Sequence, residues 1–444
     1  MPQTEFPLSS HTTTIVDADE RLRRRRQIAW YSAALACAIL LRVTFPHDVT
    51  WEGDQKWMLM HARETGATAP WSWAGSLSSG GVPHPGMSLW LFIVLVRWLH
   101  LSTPLLVSQA VAFMSIAALA LIGVWAIAGM RGAEREQWLW AGALAAVNPV
   151  GTFLERVIWA PSALPVFLVA FWFSFRNRRV GWGAFLWGAL GACVAEIHLC
   201  GFFLFGGILL TAILSPSRRE VRWIPFAAGL VVAGWPVIPW ILTVAAGHYS
   251  PAHWGFMAHF PGKVWIWWFI SDLGLGMRYI TNNFWKQPFA AFLSWPQIAG
   301  HSTWGVLAVH CLLACVALVP VWWWLRDGID GKGWMPAFLS GNSETAIVVR
   351  GCFFGFAGLL TLLPAPVFVH YFLVAFPVGF LCIARFWLCR RPDGARSRRG
   401  LAALVVLNFM LSLASLFYVH EQRLAGPVDA LNKNGIVSAR LDRP

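Results

Sequence analysis

The sequence predicts an all-α polytopic integral membrane protein with about 11 transmembrane helices. Hydrophobic residues make up 57% of the 444 residues, charged residues make up 12%, and the mean hydropathy is +0.57. Soluble chains carry about 25% charged residues. The apolar residues stand in long runs, and a run of about 20 such residues is typical of a membrane-spanning helix. Arginine clusters separate several of these runs, as in loops that face the cytoplasm.

Each apolar run defines one predicted span, and the charges between the runs set its direction. The N-terminal tail, 1–26, is polar and basic and is predicted to be cytoplasmic. The transmembrane domain covers 27–419, with external loops at 46–83 and 247–301 that carry short interfacial helices, and 420–444 is an external tail. The predicted spans are 27–45, 86–99, 105–130, 138–152, 161–175, two short spans within 180–216, 223–246, 304–325, 345–363, 367–389 and 401–419.

One stretch of this topology is inconsistent. The loop at 46–83 is external and Arg131 should be cytoplasmic, which demands an odd number of crossings, yet two apolar runs lie between them. Either one run is re-entrant or interfacial, or the segment 131–137 faces outward. Its own charge does not decide, because Glu134 and Glu136 neutralise its arginines.

The positive net charge of the chain does not by itself indicate a nucleic-acid partner. The formal net charge is +13, but the arginines lie in short gaps between apolar runs, which the positive-inside rule explains without nucleic acid. The eight cysteines show no CxxC or CxxH spacing, so neither a zinc ribbon nor a disulfide framework is indicated. The expected partner of the chain's surface is therefore the lipid bilayer, with no nucleic acid.

The first external loop concentrates acidic side chains. Asp48, Glu52 and Asp54 fall within seven residues, just after the first span. A carboxylate at the membrane surface is suited to act as a general base on a hydroxyl. Asp54 also follows a glycine at the start of a predicted short helix, where an aspartate serves as an N-cap. Both roles are open for Asp54, and they are compatible.

This loop resembles the first external loop of GT-C glycosyltransferases, near the protein O-mannosyltransferases and the aminoarabinose transferases. The similar features are Arg42 at the end of the first span, Pro46, and Gly53-Asp54-Gln55 opening a helix. The family usually has Asp-Glu where this chain has Asp-Gln. The segment 81–85, which contains His84, is similar to the His-Pro-Pro element that closes the same loop.

Two later segments also resemble this family. Asn148-Pro149 followed by Arg156 is similar to its second external region, although the acid that often follows that arginine is absent here. His370-Tyr371, after a Pro-Ala-Pro turn, resembles the pair that begins a late helix. The resemblance implies a GT-C-type fold and transfer of a sugar from a polyprenyl-phosphate donor, with inversion, to an extracytoplasmic acceptor hydroxyl on a lipid, glycan or protein.

The resemblance and the chemistry together suggest roles for individual residues. Asp54 is the expected base. Asp48 and Glu52 are candidates to position the acceptor or to hold a divalent ion through oxygen ligands, and no other cofactor is expected. Candidates for substrate binding, including the donor phosphate, are Arg42, His84, Arg156, His370 and Tyr371. His370 could equally be an interfacial anchor.

Glu196 and His198 interrupt an otherwise apolar run, and charge topology puts them at an outer turn. Ionisable residues within apolar segments are usually functional. The two side chains would line the donor or acceptor pocket, or simply face solvent at the turn.

Two other classes of protein compete with a glycosyltransferase of the cytoplasmic membrane. A secondary transporter or a lipid or glycan flippase of the cell envelope would need ionisable residues near the bilayer midplane and broken helices. The acids and histidines instead concentrate on the predicted external face. A non-enzymatic partner in envelope assembly predicts that Asp54 is replaceable.

Overall fold

Helices dominate the computed structural model of this chain, which describes residues 10–78, 80–247, 258–330, 337–341, 343–363, 367–389, 394–424 and 426–427. The helices are α1 (Ser10–Val43), α2 (Gly53–Glu64), α3 (Met87–Ile93), α4 (Pro104–Gly129), α5 (Gly132–Val147), α6 (Pro149–Leu154), α7 (Ala160–Arg176), α8 (Gly181–Ile197), α9 (Cys200–Leu214), α10 (Trp223–Gly234), α11 (Val237–Ala246), α12 (Lys263–Asp272), α13 (Met277–Asn283), α14 (Phe289–Leu293), α15 (Gly305–Ile329), α16 (Glu344–Arg350), α17 (Ala357–Leu362), α18 (Val378–Leu388) and α19 (Ala395–Glu421).

The strands are short and form three separate antiparallel pairs. They are β1 (Asp48–Val49), β2 (Ala74–Leu77), β3 (Pro83–Pro85), β4 (Gln297–Ile298), β5 (His301–Ser302) and β6 (Gly426–Pro427). β1 pairs with β6, β2 with β3, and β4 with β5. All six strands lie between helices or beyond the last described one, so the described chain is an all-α protein with three small strand pairs outside its helices.

Several helices are long and apolar enough to cross a bilayer. By length and composition, α4, α15, α19 and the continuous helical stretch Glu344–Leu362 qualify among the described residues, and two bent helix pairs raise this number from 4 to 6. The bent pairs are α10 with α11, and the short helical segment Val369–Ala375 with α18. The all-α polytopic membrane class is therefore confirmed. The predicted total of about 11 counts shorter helices as well and stays a prediction.

Local sequence signals begin several of these helices. Thr103 caps α4 by accepting a hydrogen bond from the N–H of Leu106, and Pro104 occupies the first helical position. Asn148 caps α6 through the N–H of Gly151, again with proline following. These are the residue types that helix N-termini favour, because they accept hydrogen bonds from otherwise unpaired N–H groups.

The basic clusters meet on one face of the bundle. Arg176 pairs with Glu134 at 2.8 Å, and Glu136 accepts hydrogen bonds from Arg23 and Arg398, each at 2.6 Å. The start of α5 therefore lies on the same face as the arginines of α1, α7 and α19. We call this the basic face.

The structure bears on the inconsistent stretch of the predicted topology. The apolar stretch Met87–Trp98, which is α3 continued by a π-helical turn, has 12 residues and spans about 18 Å. It packs against α2 and β2. A bilayer core is about 30 Å thick, so this length favours the first alternative, a re-entrant or interfacial run. The number of crossings between 84 and 130 stays a prediction.

The second predicted external loop does not lie flat on the surface. The side-chain amide of Asn148 donates hydrogen bonds to the carbonyl oxygens of Ser271 and Asp272, at 3.0 and 3.1 Å. Gly274, at a positive φ of 83°, lies against Asn408 near the middle of α19. α12 and α13 thus form a helical hairpin whose turn reaches between the long helices. Residues 248–257 of this loop lie outside the described part of the chain.

Candidate functional site

A cavity of about 320 Å³ opens on the face opposite the basic face. It is formed by α2, the β2–β3 hairpin, the start of α7, the turn between α8 and α9, α13, and the segment Val369–Ala375. Apart from Leu77, the side chains that line it are aromatic or polar: Asp54, Gln55, Ser78, His84, Trp159, His198, Tyr279, Asn283, Phe284, Phe368, His370 and Tyr371. We call this space the outer cavity.

Asp54 stands at the rim of the outer cavity, in the first turn of α2. The helix begins at Gly53, and its N-cap is Glu52, whose N–H donates a hydrogen bond to Oε1 of Gln55 at 3.0 Å. The capping role expected for Asp54 thus belongs to Glu52, within a capping box closed by Gln55. The Asp54 carboxyl remains open to solvent on one side. Partial burial against the cavity raises its pKa above the ordinary value.

His84 lies in β3, buried at the inner wall of the cavity. Its Nδ1 accepts a hydrogen bond from the N–H of Leu199 at 3.4 Å. Burial lowers the pKa of His84 to about 4, so the imidazole is neutral at pH 7. A neutral imidazole whose Nδ1 accepts a hydrogen bond carries its proton on Nε2. His84 is therefore an N–H donor without a positive charge.

His198 repeats this arrangement at the turn between α8 and α9. Its Nδ1 accepts a hydrogen bond from the N–H of Cys200 at 3.2 Å, and its ring centroid lies 4.8 Å from that of His84. Both imidazoles thus accept N–H groups at the start of α9, groups that the helix itself leaves unpaired. The start of α9 fixes the tautomer and orientation of the two rings.

His370 completes a group of three imidazoles. Its centroid lies 6.0 Å from that of His198 and 4.3 Å from the ring of Trp159, and its Nδ1 has no hydrogen-bond partner within the described chain. Tyr371 packs edge-on against the same ring at 4.6 Å. The segment that carries both ends at Phe376-Pro377, where the chain turns by 79° into α18. This bend brings the pair to the cavity wall.

The lining of the outer cavity suits a polar ligand with flat apolar faces. No lysine or arginine occurs among its described lining residues, whereas carboxyl, amide, hydroxyl and imidazole groups stand beside the rings of Trp159, Tyr279 and Phe368. Sugar rings combine hydroxyl groups with apolar faces in this way.

Two predicted arginines lie away from this cavity. Arg42 is fully buried and forms an ion pair with Glu155, to which its Nε donates at 3.0 Å, and Ser115 donates to the same carboxylate. Arg156 donates to the carbonyl oxygen of Phe45. These contacts fasten the outer end of α1 to the chain that follows α6.

The other two candidate acids, Asp48 and Glu52, also lie outside the outer cavity. Asp48 accepts a hydrogen bond from His420, with 3.1 Å between Oδ2 and Nδ1, at the end of α19. Glu52 caps α2 and lies 3.9 Å from Lys286 in an exposed pair. Within the described residues, no group of three or more His, Cys, Asp or Glu side chains is placed to hold a metal ion. The predicted divalent ion stays a prediction.

Glu196 lies in the last turn of α8, completely buried, and neither carboxyl oxygen has a hydrogen-bond partner among the described residues. It does not line the outer cavity. Neither predicted role is seen for Glu196, because its side chain has no exposed surface and is not part of the cavity lining, whereas His198 does line the outer cavity.

Sequence reasoning missed the residues that α13 contributes. Tyr279 and Asn283 are four residues apart, so they share one face of that helix, and both line the cavity. The segment was predicted only as part of a loop. Trp159 lies three residues after the candidate Arg156, but nothing in the sequence distinguished it from the other 28 tryptophans.

The fold is similar to that of a known protein structure. A crystal structure of ArnT from Cupriavidus metallidurans in the apo state aligns with 92% of this chain and 91% of its own, at 14% identity and a TM-score of 0.37. No family model and no curated protein sequence matches the chain. Because the identity and TM-score are low, the function must be derived from the site itself.

Proposed function

We propose that this protein is a membrane glycosyltransferase that moves a sugar from a polyprenyl-phosphate donor to an acceptor hydroxyl. The supporting observation is that Asp54 shares one cavity with the imidazoles of His84, His198 and His370. The resemblance of the motifs around Asp54, His84 and His370 to GT-C enzymes points to the same reaction. Asp54 is the general base in this proposal.

The reaction needs one base and several hydrogen-bond donors. The acceptor hydroxyl gives its proton to Asp54 while its oxygen bonds to the anomeric carbon. The bond between that carbon and the phosphate oxygen breaks, and the electron pair leaves with the lipid phosphate. A carboxylate with a raised pKa is a better proton acceptor than an ordinary one.

The imidazoles stabilise the departing charge. Nε2–H groups held in place by the start of α9 are preorganised donors, and preorganised donors act on developing charge without reorganisation. Tyr371 adds a hydroxyl beside them. In this scheme the sugar lies against Trp159 and Phe368, and inversion at the anomeric carbon follows from attack opposite the leaving phosphate.

The lipid donor implies a position for the site. We place the outer cavity on the extracytoplasmic side of the cytoplasmic membrane, with the basic face and the N-terminus in the cytoplasm, because arginine-rich loops stay inside. Access would be lateral, beside α11. There the indole N–H of Trp240 donates to the carbonyl oxygen of Pro83 at 3.1 Å, directly before His84.

The test is sugar transfer in membranes from a labelled polyprenyl-phosphate sugar, with wild type compared with Asp54→Asn. The substitution keeps the size of the side chain and removes the base. Glu64→Gln is the matched control, since it removes an exposed carboxylate from the other end of the same helix. Loss of transfer in Asp54→Asn alone supports the proposal, whereas equal transfer in all three proteins removes Asp54 from the mechanism.

One observation favours the alternative of a transporter. Asp272 is buried at the turn between α12 and α13, and its carboxyl packs against Gly379, just after the break at Phe376-Pro377. Transporters place ionisable groups at breaks in their helices. A transporter predicts that Asp272→Asn abolishes flux of a labelled lipid or glycan across proteoliposomes. A transferase predicts no such flux in the wild type.

A further inference from the structure

A second cavity is larger than the outer one. A groove of about 620 Å³ runs between α15 and α18, and α12, the segment Ala337–Leu339 and the π-helical stretch Gly351–Phe356 form its other walls. Every side chain that lines it is apolar, and it shares no lining residue with the outer cavity. We call it the inner groove, because its lining from α15 and α18 comes from the halves of these helices that lie toward the basic face.

The inner groove would be filled by hydrocarbon in a bilayer. α15 is mostly unburied, and Leu312, Leu318 and Trp322 expose 56%, 60% and 64% of their surfaces. A groove of this size left empty would forfeit the dispersion contacts of its whole lining. In a bilayer, lipid acyl chains contact this exposed side of α15.

The end of the groove at the basic face is cationic. Arg350 donates through Nη1 to the carbonyl oxygens of Leu339 and Gly341, at 3.1 and 2.6 Å. Arg385 donates through Nε to the carbonyl oxygen of Phe338 at 2.9 Å. Phe338 and Leu339 are themselves lining residues. The two guanidinium groups are not part of the lining, but each binds the backbone of a lining residue and so lies next to the wall of the groove.

These two charges lack anionic partners. Within the described chain, Arg350 and Arg385 bond only to backbone carbonyls and to the side-chain oxygen of Gln137, and neither forms an ion pair with a carboxylate. Arg385 is 5% exposed. Buried charges are normally paired, because transfer out of water is costly otherwise.

Nearby acidic side chains do not make the charge at this end of the groove negative. Asp327 and Asp330 lie beyond the groove at the end of α15, and Asp330 pairs with Arg326 at 3.6 Å. Glu344, at the start of α16, is held by Arg178 and Arg179. The mouth of the groove thus keeps a positive character.

We propose that the inner groove binds an anionic phospholipid from the leaflet at the basic face, with an acyl chain along α15 and α18 and its phosphate beside Arg350. An apolar groove beside guanidinium groups that have no carboxylate partner matches a molecule with a hydrocarbon tail and an anionic head. Basic groups at a membrane surface attract anionic lipids. This site is independent of the outer cavity and of the proposed reaction.

The test is native mass spectrometry of the full chain released from nanodiscs that contain equal amounts of phosphatidylglycerol and phosphatidylcholine. Val321→Trp fills the groove, and Arg350→Gln removes the charge. Leu312→Trp is the matched control, because nine residues place position 312 on the opposite face of α15 from Val321. Thermal denaturation checks that each variant is folded.

The expected result is one retained phosphatidylglycerol in wild type and in Leu312→Trp, with the adduct lost in Val321→Trp. Arg350→Gln should lower the preference for phosphatidylglycerol about fivefold. Equal retention in Val321→Trp overturns the groove as the site. Equal retention of phosphatidylcholine by wild type overturns the role of the charge. This last comparison needs no variant, so the proposal is testable even if Val321→Trp does not fold.

A third comparison concerns the kind of lipid. The same measurement on protein extracted from cells should identify the retained lipid as a phospholipid by its mass. A retained polyprenyl phosphate would overturn the assignment, because the groove would then serve the donor lipid of the proposed reaction.

Discussion

The backbone N–H of Leu199 donates a hydrogen bond to Nδ1 of His84, 3.4 Å away and 115 residues earlier in the chain. The bond joins the loop that carries Asp54 to the start of α9. It also leaves the His84 proton on Nε2. The donor character of the outer cavity therefore depends on a contact between two distant parts of the sequence.

His84→Asn should reduce sugar transfer strongly while leaving the fold in place. The Asn oxygen can still accept from Leu199, but the N–H at the far side of the ring is lost. Loss of one preorganised donor costs about 10²-fold or more in kcat. His61→Asn is the control, since His61 lies on α2, bonds to the carbonyl of Trp57 and does not line the cavity. A kcat for His84→Asn equal to that of the control would argue against a donor role.

Transfer should have an acid limb set by Asp54. The base must be ionised, and burial raises its pKa above the ordinary 3.8. Activity is therefore full above the raised pKa and falls as the pH drops through it. The profile of kcat/KM against pH measures this pKa in the free enzyme. Activity that stays constant down to the ordinary pKa of an aspartate would contradict a base in this environment.

The fold should lose stability as the pH falls, in part through His84. Its pKa is about 4 in the folded protein and 6.5 when unfolded. Because the unfolded chain takes up the proton first, the contribution is present above about pH 6.5 and is lost toward pH 4.

Between about pH 7.5 and about pH 5, the free energy of unfolding should fall by about 2 kcal/mol through His84 alone. Thermal denaturation at the two pH values measures it. His84→Asn should show a smaller difference between them than wild type does. An unchanged difference would mean that other groups carry the pH dependence.

Replacing one residue of the buried pair Arg42–Glu155 should destabilise the fold more than expected from replacing both together. Arg42→Met or Glu155→Gln alone leaves a buried partner unpaired, which costs about 3–5 kcal/mol. The double variant should lose less than the sum of the two. A double-mutant cycle from unfolding measurements gives the coupling. Additive losses would show that the pair contributes little beyond packing.

Sequence reasoning was most successful where a residue type stands out locally. Asp54 was selected from the acidic cluster of the first external loop, His84, His370 and Tyr371 from the resemblance to GT-C glycosyltransferases, and His198 because it interrupts an apolar run. The structure brings all five to one cavity.

The remaining parts of the site depend on contacts that no pattern records. Arg42 looked like a ligand-binding residue, but its partner Glu155 lies 113 residues away. Tyr279 and Asn283 belong to a hairpin whose turn packs on Asn148 and Asn408, far away in the sequence. The break at Pro377 lay within a run predicted as one continuous span. Long-range packing, not local propensity, decides these three features.

Glu136 has a consequence for how the chain is made. Its carboxylate accepts hydrogen bonds from Arg23 on the first helix and from Arg398 on the last. The ribosome synthesises Arg23 and Glu136 long before Arg398, so only one of the two ion pairs can form until α19 has been made. The second pair closes when α19 inserts, and one side chain then joins two helices that are synthesised far apart in time.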